Sequence, residues 1–140
     1  MEIVMKKAKR PILSFVLTLS LFGLTACGGS DSDEGSAITY EQITQEHAKN
    51  IMDGTEDYIL IDARTEEEFA TGHIEGAILI PEYEIAARAE KEIPNKNALI
   101  LVYCRSGRRS KIASEELVKL GYTNVKEFGG IIDWQYEIVE

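Results

Sequence analysis

Apolar positions in this chain come in short continuous runs, and the residues between them fall at helical or turn spacings. Met1 to Arg10 is short and basic, and Pro11 to Ala26 is apolar. That is a basic start and a hydrophobic middle shorter than the ~20 residues of a membrane-spanning helix, the layout of a secretory signal. Gly28 to Ala37 is small, polar and acidic and reads as a flexible tether, so folding is expected to begin near Ile38. Thr39-Tyr40-Glu41-Gln42 fits a capping box, and Ile43, His47 and Ile51 recur at helical spacing, which predicts a helix to about Met52. Tyr58 to Ile61 predicts a buried strand, with Asp62-Ala63-Arg64 at its carboxyl end. Thr65-Glu66-Glu67-Glu68 is a second capping box, opening a short helix that Gly72-His73 breaks. Ala77 to Ile80 predicts another strand. Glu82 to Glu92 predicts a helix with Ile85, Ala86 and Ala89 on one side. Leu99 to Tyr103 is an apolar, β-branched run and predicts a buried strand. A helix over Lys111 to Leu120, a strand around Asn124 to Phe128 and a short helix over Ile131 to Tyr136 complete the chain.

Strands alternate with helical segments, and most are apolar throughout rather than alternating. Both features predict an α/β domain: one mainly parallel sheet of about five strands with helices on both faces. The composition agrees with a globular domain, 44% hydrophobic and 28% charged. The formal net charge of −9 hides an asymmetry. Lys6, Lys7, Lys9 and Arg10 against Glu2 give residues 1–26 a charge of +3, leaving −12 for the remainder. So acidic a body excludes nucleic acid as a partner. It also requires that any anion site be locally positive, and the 104–109 loop is the dense basic cluster after the leader. Two distant histidines and one free cysteine make no metal-ligand spacing, and there is no glycine-rich nucleotide fingerprint, so no metal or cofactor is expected.

The candidate chemistry sits where the Leu99–Tyr103 strand breaks into Cys104-Arg105-Ser106-Gly107-Arg108-Arg109-Ser110. Strand, tight loop and helix start set a thiol over backbone N–H groups and a helix dipole, which favour negative charge. A helix N-terminus and nearby cations lower a thiol from ~8.5 to about 3.5–7.5. Cys104 is therefore the expected nucleophile. Arg105, Ser106, Gly107, Arg108 and Arg109 are the expected substrate-binding loop. Within it, Arg109 pairs with a carboxylate or loop carbonyls, Arg105 and Arg108 point outward, and Gly107 lets the backbone curl. Ser106 and Ser110 are placed to hydrogen-bond the sulfur or cap the helix. Asp62 and Arg64, at a strand's carboxyl end, are expected either to support the site or to act structurally. The alternative for Cys104 is a buried, inert cysteine.

Four segments in order resemble the rhodanese-like domains: Asp62-Ala63-Arg64-Thr65-Glu66-Glu67-Glu68-Phe69, Gly72-His73-Ile74-Glu75-Gly76-Ala77, Tyr103 to Ser110, and Phe128-Gly129-Gly130 with Trp134. The resemblance spans residues 38–140. It implies a single small α/β domain and a sulfurtransferase in which Cys104 carries a sulfane sulfur as a persulfide. The sulfur would pass from a small anionic donor such as thiosulfate to cyanide or a thiol. It also implies a mostly structural His73. Two rival classes stay open. A cysteine-based phosphatase or arsenate reductase places five residues between its cysteine and arginine, whereas Cys104 and Arg109 are separated by four. A rhodanese-like binding module would need Cys104 to be unreactive.

Leu24-Thr25-Ala26-Cys27 resembles the bacterial lipobox. It implies that residues 1–26 are a lipoprotein signal peptide and that Cys27 is the lipidated (palmitate-type) new N-terminus. Residues 27–37 then tether an exported, membrane-anchored domain facing periplasm or cell exterior.

Overall fold

The computed structural model describes residues 39–54 and 56–140. The leader, Cys27 and the tether lie outside the described residues. Five strands are present: β1 (Glu41–Gln42), β2 (Ile59–Asp62), β3 (Ile78–Leu79), β4 (Ile100–Cys104) and β5 (Val125–Gly130). The helices are α1 (Gln45–Asp53), α2 (Glu66–Ala70), α3 (Ile85–Glu92) and α4 (Arg108–Lys119). One sheet holds the strands in the order β1-β5-β4-β2-β3, and every pairing is parallel. β4 sits at its centre and is buried along its whole length, in keeping with its uninterrupted apolar run.

Successive side chains of a strand point to opposite faces, so the sheet makes two cores. On one face Ile61, Ala63, Ile100, Val102 and Cys104 meet Ile85 and Ala89 of α3 and Ala113 and Leu117 of α4. On the other, Leu60, Leu101, Tyr103 and Phe128 meet Ala48 of α1, with Ile51 and Met52 alongside. Each fully buried aliphatic side chain contributes about 1.5–3 kcal/mol. Two strands of alternating inward residues thus fix both the register and the helix positions.

The first predicted helix begins later than its sequence suggests. Glu41 and Gln42 pair with Lys126 and Glu127 of β5, and the Ile43 N–H donates to the Glu127 carbonyl. The capping box at Thr39 is overridden because β5 would otherwise present an open edge. The helix is capped instead by Thr44, whose hydroxyl accepts from the His47 N–H at 3.1 Å. Three smaller differences follow from packing. Glu82–Glu84 form a 3₁₀ turn before α3. Ala86 is exposed while Ile85 and Ala89, one helical turn apart, face the core. The expected final helix is a 3₁₀ turn at Ile131–Asp133, after which Val139 pairs with His73.

Candidate active site

β4 delivers Cys104 to the carboxyl edge of the sheet, and α4 starts four residues later. Gly107 closes the loop at φ 97°, a left-handed conformation that side chains disfavour. Gly130, at the end of β5, lies under the loop: a Cβ there would stand 2.1 Å from the Arg105 carbonyl oxygen. Only a bare backbone lets the loop lie this close to β5. The Gln45 side chain donates to the Gly130 carbonyl at 2.7 Å and ties α1 to the same point.

Inside the loop, the Gly107 N–H donates to Cys104 Sγ at 3.0 Å. The Cys104 thiol donates to Ser110 Oγ at 3.4 Å. Cys104 is 1% exposed and is a free thiol. Burial by itself pushes this thiol up. Once the sulfur is a thiolate it is the acceptor, and hydrogen bonds to it from the Ser110 hydroxyl and from the loop amides of Ser110, Gly107 and Ser106 outweigh burial, so the net displacement is downward from 9.0.

Arg109 leaves the loop sideways. Its guanidinium makes two parallel bonds to the Glu68 carboxylate, 2.6 and 2.8 Å long, and so ties α4 to α2. The Arg109 bond is the largest cause holding the Glu68 carboxyl at about 2. Glu68 is also the N3 residue of the α2 capping box, accepting from the Thr65 N–H. Arg105, Ser106 and Arg108 are exposed on the rim, as the outward placement of the two arginines anticipates.

Asp62 and Arg64 are not brought to the sulfur. Asp62 lies in register with Tyr103, on the face opposite Cys104. Arg64 Nη2 lies 2.7 Å from Asp62 Oδ2 and also donates to the Gly72 carbonyl at 2.7 Å. Its guanidinium sits 5.9 Å from the Tyr103 ring centroid. Neither residue hydrogen-bonds the 104–109 loop, and the pair pins the Gly72 turn. The cap of α2 is Thr65. His73 stacks on Phe69 with ring centroids 3.7 Å apart and donates from Nδ1 to the Phe69 carbonyl at 3.1 Å. Trp134 packs against Phe128 and lines a groove of about 880 Å³ with Met52, Tyr58 and Tyr136, a groove that Cys104 does not line.

Glu127 escaped the sequence reading. It is 3% exposed and its Oε1 accepts from the Ser110 hydroxyl at 2.6 Å and from the Gly129 N–H at 2.8 Å. The signal was present: period-two alternation in β5 puts Glu127 on the same inward face as Val125. Among the described residues no group of side chains is arranged to hold a metal ion.

The Rhodanese-like domain family profile matches residues 44–137. The thiosulfate sulfurtransferase PspE of Escherichia coli (strain K12) is 42% identical over 73 residues, covering 52% of this chain and 70% of that protein. A sulfurtransferase of Allochromatium vinosum is 40% identical over 94 residues, covering 66% and 86%. A solved structure described as rhodanese with anions from E. coli superposes with a TM-score of 0.57 at 38% identity, covering 60% of this chain and 99% of the other. With a parallel five-stranded sheet, a loop folded around a single thiol and these relatives, the chain belongs to the rhodanese-like domain family.

Proposed function

We propose that this protein is a sulfurtransferase in which Cys104 takes a sulfane sulfur from a small anionic donor such as thiosulfate. The thiolate attacks the outer sulfur, the donor's S–S bond breaks, and sulfite leaves with the electron pair. The resulting persulfide gives its terminal sulfur to cyanide or a thiol, and the Cys104 thiolate is regenerated. The observation that carries this reading is the Gly107 N–H aimed at Cys104 Sγ from 3.0 Å, inside a loop that starts a helix. A fixed donor there stabilises negative sulfur as thiolate and as persulfide. The names of the relatives support the reaction class.

Two observations weigh against the rivals. A phosphate-binding loop needs its arginine free for the ligand, and both outer nitrogens of Arg109 are held by Glu68. An inert binding module has no use for a thiol whose hydrogen bonds overcome its burial. The leader sequence supports the cellular setting: residues 1–26 are a signal peptide, Cys27 carries lipid, and residues 27–37 tether the 38–140 domain outside the cytoplasm. The test is intact mass before and after thiosulfate, then cyanide. One added sulfur, lost to cyanide and absent from Cys104→Ser, is the expected result. A protein that takes no sulfur from thiosulfate or other sulfane donors contradicts the reading. A lipid-sized mass on Cys27, lost in Cys27→Ala, tests the anchor.

A further inference from the structure

Beneath the sulfur lies a buried carboxylate for which the loop chemistry so far gives no role. Ser110 has one hydroxyl proton and three acceptors in reach: Glu127 Oε1 at 2.6 Å, the Gly107 carbonyl at 3.1 Å and the Gly129 carbonyl at 3.5 Å. The shortest bond goes to the charged acceptor, which is also the strongest kind. With its proton committed to Glu127, Ser110 Oγ is free to accept, and it accepts from the Cys104 thiol. The three groups form a directed chain: S–H to O–H to carboxylate.

We infer that Glu127 is the proton acceptor that activates Cys104 through Ser110. The inference rests on Cys104 acting as the nucleophile. The Cys104 S–H bond breaks as its proton moves to Ser110 Oγ, and the hydroxyl's own proton moves on to Glu127 Oε1. Negative charge passes from the carboxylate to the sulfur, and no proton enters or leaves the site. In the product arrangement Ser110 donates to the thiolate and the Gly107 N–H still points at it. The Gly129 N–H on Glu127 Oε1 keeps the carboxyl oriented in both arrangements. Because the thiol is buried, an internal acceptor removes the need for water to carry the proton out.

Other charges face the sulfur from neighbouring elements. Arg109, on α4, is raised by its bonds to Glu68 of α2 and by the charges of Cys104 and of Glu82, from the turn before α3. Arg105 and Arg108 stand on the exposed rim, and from α1 the uncharged Gln45 reaches Gly130. Glu68 titrates at about 2, far below the range in which the thiol reacts.

A thiol that shares one proton with a carboxylate behaves unlike a lone thiol. Loss of the shared proton leaves two anions joined through one hydroxyl, and their repulsion opposes it; below the pH at which that proton is lost, a fixed fraction of molecules holds it on the carboxylate and leaves the sulfur as thiolate. The decisive measurement is the rate of Cys104 alkylation by iodoacetamide in the purified protein from about pH 4.5 to about pH 9, a span that brackets the ordinary thiol value. The expected wild-type profile levels off below the thiol titration. In Glu127→Gln and in Ser110→Ala the rate instead falls about tenfold per pH unit throughout. Glu82→Gln keeps the plateau. A wild-type profile without a plateau overturns the inference, as does a plateau that survives in Glu127→Gln. Should Glu127→Gln fail to fold, the wild-type profile and Ser110→Ala still decide. A folded protein whose Cys104 never reacts at any pH overturns the nucleophile itself, a result distinct from a reactive thiol lacking the plateau.

Discussion

The carboxyl edge of the sheet carries two acid–arginine pairs, one on each side of β4, and they differ in depth. Asp62 and Arg64 have side chains 0% and 5% exposed. Glu68 and Arg109 are 27% and 18% exposed. Both arginines are bound through two nitrogens, so geometry does not separate them. Burial does. The deep pair has lost its water and must stay paired, so it belongs to folding. The shallow pair is wet enough to open at modest cost, so it is suited to holding a loop that admits substrate.

Breaking the deep pair has the largest expected effect. Asp62→Asn leaves the Arg64 charge buried against Tyr103 and costs about 3–5 kcal/mol of folding stability, read by urea denaturation. Cys104 alkylation in the molecules that remain folded is expected to be unchanged, since the pair lies on the other face. Arg109→Lys reverses the pattern. It gives up a bidentate bond for a single point charge, costing about 1 kcal/mol or less of stability. Sulfur transfer is expected to fall about 10²-fold, the scale of a misplaced reacting group. Equal losses in the two variants would erase the distinction between the pairs.

The acid limb sharpens the comparison further. The Glu68 carboxyl is lowered from its ordinary 4.5 to about 2, chiefly by its bond to Arg109. A carboxyl lowered on folding adds stability that is fully present above 4.5 and disappears as the pH falls through about 2. The stability difference between wild type and Glu68→Gln should therefore be flat at neutral pH, shrink below 4.5 and vanish near 2. A difference that stays constant through this window would mean that the carboxylate charge plays no part.

How much of this is legible in the chain depends on whether the information is local. The buried strands β2 and β4, the α2 capping box and the cysteine at a strand end are written in contiguous residues, and each stands close to where its pattern puts it. The β1 strand is only two residues long, and nothing in Glu41-Gln42 marks it as a strand; its partner, β5, lies more than eighty residues away. The same distance separates Gln45 from Gly130. Asp62 was ambiguous for a different reason. Its position at a strand end is legible, but which face it takes depends on the register with Tyr103. Glu127 is the instructive omission. Alternation in β5 turns it inward, yet only the packing of α4 over β5 reveals that Ser110 is its partner.

The smallest expected effect concerns the rim. Arg105 and Arg108 are exposed, and neither forms an ion pair among the described residues. Their replacement by alanine should leave the denaturation midpoint unchanged, because surface substitutions away from packed features seldom move stability. What they supply is local positive charge on a chain whose residues 27–140 carry −12. The proposed anionic donor would have to cross that field, so the double variant should raise KM for thiosulfate by about 2–10-fold at low salt. Added salt should bring the two proteins together, since screening removes a long-range attraction and leaves contacts intact. The rate of Cys104 alkylation by neutral iodoacetamide supplies the control. If the double variant lowers that rate as much as it weakens thiosulfate use, the arginines are shaping the loop. If only the anion suffers, they are steering it, and the division of labour among three neighbouring arginines is complete: two for the approach and one, Arg109, for the hold.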